Sequence, residues 1–139
     1  MTSLKQIYHP KGDLFHGMKK CDPGFSGFGE AYFSTIYAGE IKPWKKHVRM
    51  TLNLIVPVGK IRFVMYDDRT ESATQGETLD VEIGSENYKR LTIPPGVWMA
   101  FEGIGEELNL LLNIADIEHD PEEVERADME RFNYPDKNK

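Results

Sequence analysis

A chain of 139 residues has the usual length of one domain and enough side chains for a sizeable core. A hydrophobic content of 40% with 11% aromatics excludes disorder as the main state, and a formal net charge of −6 argues against duplex nucleic acid, whose phosphates are bound by Lys and Arg. The lone cysteine, Cys21, excludes an internal disulfide and fits a reducing cytoplasm; the opening MTSLKQIYHPKGD holds no signal-peptide core, and no apolar run reaches membrane-spanning length. The expectation is a cytoplasmic single domain over residues 1–139, with neither membrane nor nucleic acid as partner.

Residues 1–28 read as an irregular N-terminal arm, broken by Pro10, Gly12, Pro23, Gly24 and Gly27, with room for short strands around Leu14 to Lys19. Glu30 to Tyr37 is rich in aromatic and β-branched residues and predicts a strand. After Gly39, Ile41 to Arg49 reads as a polar extended segment. Thr51 to Val58 is apolar on both faces, as a strand buried between layers would be, with Pro57 marking an edge or bulge. Lys60 to Asp67 alternates, with Ile61, Phe63 and Met65 on one side. Asp68 to Glu77 is a polar loop. Leu79 to Ile83, Asn87 to Ile93, Val97 to Phe101 and Leu108 to Ile114 follow as strands, with Pro94-Pro95-Gly96 a tight turn. Eight or nine short strands separated by turns predict an all-β sandwich or barrel. Residues 120–139 read as a short C-terminal helix and tail, with Asp120 as cap, Pro121 at the first position and Glu122 and Glu123 at the positive end.

Within this acidic chain, Lys42, Lys45, Lys46, His47 and Arg49 form a dense local run of bases. In an extended segment Lys45, His47 and Arg49 share a face and could hold a diphosphate or carboxylate at a barrel mouth. The same residues would also suit a solvated basic strand, and a bulge near Pro43 would reverse every side chain. Tyr32, Trp44, Tyr66, Trp98 and Phe101 are candidates for a stacking wall, or for core packing. Asp67-Asp68-Arg69 reads as a turn or as a catalytic dyad, and His119-Asp120 as capping chemistry, with reach of His119 into the pocket as the alternative.

A jelly roll with a Gly-containing first motif and a Pro-x-Gly second motif suggests the cupin superfamily. Where metal-binding cupins carry His-x-His, this chain reads Lys45-Lys46-His47; where they carry a histidine after the second turn, it reads Met99. An ammonium repels a divalent cation and a thioether is a poor ligand for a hard one, so no metal and no other cofactor is expected.

From about Lys11-Gly12 to Asp120 the sequence resembles the sugar-nucleotide epimerases of the dTDP-4-dehydrorhamnose 3,5-epimerase type, a branch of the cupins that works without metal. The most specific parts are the DDRTESATQG loop (Asp67 to Gly76), the SENYKRLTIPPGV segment (Ser85 to Val97) and Phe101. The family's Arg-Gly-Leu-His falls on Lys42-Pro43-Trp44-Lys45. The resemblance therefore implies diphosphate binding by Lys42 and a base at Lys45 or at His47, the nearest imidazole. It puts the arginine of the N-terminal Arg-Gly pair at Lys11 and finds no equivalent of the family's lysine (Met50 to Leu52) or tyrosine acid (Leu110 to Leu112). It also implies a homodimer, which the apolar strands Thr51 to Val58 and Leu108 to Ile114 would support.

The resulting expectation is a cupin-type jelly roll acting on a nucleotide-linked keto-sugar as an epimerase or isomerase. His47 and Lys45 are the catalytic candidates, and Lys42, Arg49, Lys11, Tyr32, Trp98 and Arg69 the substrate-binding ones. The alternatives are a non-catalytic module that binds a nucleotide sugar or another anion, and an assembly partner whose barrel serves as an interface.

Overall fold

The computed structural model describes residues 1–136, which are built mainly from strands and turns. In chain order these are β1 Thr2–Ser3, β2 Gln6–Ile7, β3 Leu14–Phe15, β4 Glu30–Thr35, β5 Ile41–His47, β6 Leu52–Val58, β7 Lys60–Asp67, β8 Thr78–Gly84, β9 Lys89–Ile93, β10 Val97–Gly103, β11 Leu110–Ala115 and β12 Val124–Arg126. Two five-stranded antiparallel sheets pack face to face in a jelly-roll arrangement, ordered β1-β9-β6-β11-β4 and β12-β5-β10-β7-β8; β2 and β3 form a small ribbon. The all-β, cupin-type expectation holds.

The main core lies between the sheets. Leu52, Leu54 and Val56 of β6 point into it from one side, and Ile61, Phe63 and Met65 of β7 from the other. Each such side chain contributes about 1.5–3 kcal/mol when fully buried. The outer face of β6 is also buried under the N-terminal arm: Ile55 is packed there, and Asn53, which breaks the expected apolar pattern, donates from Nδ2 to the Gly24 carbonyl (3.0 Å). The fully buried Arg90 guanidinium holds that arm, donating from Nη1 to the Gly17 carbonyl (2.9 Å) and from Nη2 to the Pro23 carbonyl (2.6 Å).

A second core lies outside the β5-β10-β7 sheet, where Trp44, Val64, Trp98 and Ala100 pack under Phe132 and Tyr134. Phe132 stacks on Tyr66 with ring centroids 4.5 Å apart. The buried Arg62 fastens the same segment: its Nη2 donates to Asp80 (2.7 Å) and to the Pro135 carbonyl (2.6 Å), and its guanidinium lies 4.8 Å from the Tyr134 ring centre. Tyr134 donates its hydroxyl hydrogen to Glu102 (3.1 Å).

The helical reading after Asp120 is realised only as two single 3-10 turns, Pro121–Glu123 and Met129–Arg131, with β12 between them. Asp120 does cap the first, its Oδ1 accepting from the Glu122 N–H (3.0 Å). The helix stops there because Glu123 turns inward and the next residues pair with the edge of β5, Val124 opposite His47 and Arg126 opposite Lys45. The last three residues of the expected tail lie outside the described residues.

Candidate active site

Everything about the basic run depends on one irregularity in β5. Against β10, Lys46 pairs with Trp98 and Lys45 with Met99, but Lys42 pairs with Phe101: three steps on β5 match two on β10. The extra residue is a bulge at Pro43-Trp44, and it returns Lys42 to the face that already carries Lys45 and His47. Trp44 and Lys46 face the outer core instead.

The inner face of β5 borders a cavity of about 350 Å³ between the open ends of the two sheets. Lys42, Lys45 and His47 line one side, with Arg126 of β12 beside them. Tyr32 of β4 and Asn113 of β11, direct cross-strand partners, line the facing sheet. Leu52, Leu54, Met99 and Phe101 supply apolar surface.

His47 is held at both ends. Its carbonyl accepts from the Gly96 N–H (2.7 Å) in the turn before β10, where Gly96 has φ +86°. Its ring Nδ1 is hydrogen-bonded to Oε1 of Glu123. Oε2 of Glu123 accepts from the backbone N–H groups of Arg49 (3.2 Å) and Met50 (3.3 Å). Burial pushes the Glu123 carboxyl upward, but these bonds and the His47 ring outweigh it and leave the pKa below its ordinary value. The carboxylate is therefore a fixed anion under the imidazole, and Nε2 is the ring nitrogen left for a ligand.

Lys45 is half-buried. Burial first, then the charges of Arg126 and Lys42, lower its pKa, while Glu123 opposes them. Lys42 donates from Nζ to the Thr35 carbonyl (2.9 Å) and lies 5.4 Å from the centre of the Phe101 ring. Tyr32 accepts from Asn113 Nδ2 (2.9 Å). Burial and the charge of Glu30 raise its pKa, keeping the phenol protonated.

The structure thus brings together Lys42, Lys45, His47 and Tyr32. It places the other sequence candidates elsewhere. Arg49 lies beyond the end of β5 and pairs on the surface with Asp120 (2.8 Å). Trp98 faces the outer core, its indole donating to Asp68 (2.8 Å) with the Lys46 ammonium 5.0 Å from its ring. Lys11 is exposed in the turn between β2 and β3, its backbone N–H bonded to His9 Nδ1 (3.1 Å). Arg69 closes a clasp in which Asp67 accepts from Arg69 Nε and Nη2 (both 2.9 Å), Ser72 (2.6 Å) and Thr74 (2.5 Å), so Asp67-Asp68-Arg69 is a turn. His119 is exposed and does not line the cavity. Glu123, Arg126 and Asn113 are site residues that sequence patterning missed.

Comparison with known proteins gives consistent relatives. A probable low-salt glycan biosynthesis epimerase of Haloferax volcanii is 36% identical over 105 residues, 75% of this chain and 65% of that protein. A spore coat polysaccharide biosynthesis protein of Bacillus subtilis is 31% identical over 96 residues, 69% of this chain and 64% of that protein. The chain spans a little under two thirds of the length of these curated relatives. The crystal structure of a dTDP sugar isomerase from Desulfovibrio desulfuricans superposes with a TM-score of 0.89 at 40% identity, covering 94% of this chain and 83% of that one. No protein-family profile matches the chain.

Proposed function

We propose a function from one premise: the chain belongs to the sugar-nucleotide epimerase and isomerase family of cupins, the dTDP-4-dehydrorhamnose 3,5-epimerase type. It is an enzyme that removes the proton beside the ketone of a nucleotide-linked keto-sugar, in deoxysugar or polysaccharide synthesis. The observation that carries this reading is the His47–Glu123 pair opening into a cavity flanked by three cations.

His47 Nε2 takes the proton as the C–H bond breaks, and the electron pair moves onto the ketone oxygen as an enolate. Glu123 stabilises the imidazolium that forms. Lys45 is placed to hold the enolate oxygen, and Lys42 and Arg126 to hold the diphosphate by charge-assisted hydrogen bonds. Tyr32, on the facing sheet, offers a hydroxyl proton to the opposite face of the carbon, and the enolate collapses to the ketone as that proton arrives. The reading is metal-free because cations and the Met99 thioether surround the imidazole, a donor set that disfavours a divalent ion.

The test is solvent deuterium exchange into a dTDP-4-keto-6-deoxyhexose, followed by NMR. Exchange beside the ketone that disappears in His47→Gln supports the enzyme. No exchange, with the nucleotide sugar still raising the melting temperature, would make the chain a binding module. Neither effect would remove the sugar nucleotide as its ligand.

We also place the chain in a cytoplasmic homodimer. Its single cysteine fits a reducing compartment, and among the described residues no helix is long and apolar enough to cross a membrane. β6 lies mid-sheet with Leu52 to Val56 buried, so the outer face of β4 and β11 is the better dimer surface, with Phe33 64% exposed. Light scattering giving twice the monomer mass, and monomer mass for Phe33→Glu, would support it; a monomeric wild type would overturn it.

A further inference from the structure

We propose that Asn113 is a specificity-determining residue that reads a hydroxyl group of the sugar. The inference rests on the cavity being the sugar site. Its own basis is separate: among the described residues, Asn113 Oδ1 is the buried side-chain oxygen or nitrogen without a hydrogen-bond partner. Asn113 is only 6% exposed, yet its side chain lines the cavity. A buried amide oxygen left unpaired costs about 1–3 kcal/mol, so an apolar residue would suit the folded chain at least as well.

The neighbouring groups narrow the ligand. Asn113 Nδ2 is committed to the Tyr32 oxygen at 2.9 Å, which leaves Oδ1 to accept and the Tyr32 O–H to donate. Leu111, Leu54 and Leu52 supply no competing donor from the same sheet. The pair therefore offers one acceptor beside one donor in apolar surroundings. With the Tyr32 O–H directed at the reacting carbon, the free acceptor Oδ1 beside it matches a hydroxyl on the neighbouring ring carbon, that of a keto-sugar that has kept its hydroxyl next to the reacting centre. A site built to pair a substrate hydroxyl discriminates strongly against the deoxy analogue, because the site's own polar group is then left unpaired.

The test uses the full chain with a dTDP-4-keto-6-deoxyhexose and its analogues lacking the hydroxyl at C2 or C3. Binding is read by calorimetry and turnover by deuterium exchange. Wild type should prefer the hydroxylated sugar to one of the analogues by roughly 100-fold or more in kcat/KM. Asn113→Leu should erase that preference by raising KM for the hydroxylated sugar far more than KM for the deoxy analogue, since both sugars share the loss of the bond to Tyr32, with the melting temperature unchanged or improved. Asn113→Asp, which keeps an acceptor, should retain part of the preference. Binding and turnover that are indifferent to the hydroxyl in wild type would overturn this inference alone. An equal loss on all sugars in Asn113→Leu, or a fall in its melting temperature, would make the residue merely structural. Failure of wild type to bind any of these sugars would overturn both this inference and the proposed function.

Discussion

Glu123 lies 76 residues beyond His47 in the chain, and its carboxylate is the group that fixes His47 Nδ1. The connection is made by β12, which pairs with β5 so that Val124 sits opposite His47 and turns the preceding glutamate under the ring. The imidazole is thereby given one tautomer and one orientation. His47→Gln should lower the exchange rate roughly 100- to 10,000-fold, the range for loss of a positioned acid–base group. Glu123→Gln should lower kcat roughly 100-fold or more with KM little changed, since the ring keeps its place and loses its anion. Steady-state kinetics on the two variants checks this; an unchanged kcat in Glu123→Gln would remove the pair from the chemistry.

The cations divide by position rather than by type. Lys42 and Arg126 line the cavity, and Arg49 does not. Lys42→Met and Arg126→Met should each raise KM by about 10- to 100-fold, as expected for a lost charge-assisted hydrogen bond of about 1.5–3 kcal/mol. Arg49→Ala should leave KM within about twofold and change stability by less than about 1 kcal/mol, because its partner Asp120 is a surface group. Calorimetry with the nucleotide sugar separates the two cases.

Arg62 carries the C-terminal segment on the outer face. Arg62→Met should lower stability by about 1–3 kcal/mol, since Glu102 and the Pro135 carbonyl lose a donor. Phe132→Ala removes the ring stacked on Tyr66 and should cost about as much. Both should also weaken catalysis, because β12 is continuous with the segment they hold. Urea titrations and kcat on the same samples would show whether the two losses travel together.

Acid should unfold this protein through two carboxylates. The Asp67 carboxyl is held well below the usual range, chiefly by Arg69 and then by Ser72 and Thr74, against the effect of burial. Glu123 is also lowered, with burial opposing and the His47 and backbone bonds prevailing. Both folded pKa values lie below the unfolded ones of about 3.9 and 4.3, so both contributions are complete above about pH 5. They are lost as the pH falls through about 4 towards the folded values. Melting temperature should drop in that window, and Asp67→Asn should be less stable at pH 7 yet show a shallower acid slope.

The strand pattern was readable because most strands alternate with a period of two between turn residues. The C-terminus was not. Pro121, Glu122 and Glu123 look alike as helix-starting residues, and nothing local distinguishes the one whose carboxylate is drawn to an imidazole on another strand. Lys45 and His47 were readable as one face of an extended segment. Arg49 has the same parity but lies past the end of β5, where the strand rule no longer applies. Trp98 and Tyr32 look equally good as sugar-lining aromatics; only the assignment of each strand's inner face separates them.

The bulge at Pro43-Trp44 has a consequence for how relatives of this chain should be aligned. Parity along β5 changes at that point, so the position of Lys42 corresponds to an inward residue only in chains that carry the same extra residue. In a homologue one residue shorter there, an ungapped alignment would match its inward cation to Pro43 or Trp44 and score the site as lost. Gaps in this strand should be placed before residues are compared, and a deletion of Pro43 in this chain, by leaving two steps between Lys42 and Lys45, should straighten the strand and keep Lys42 on the cavity face.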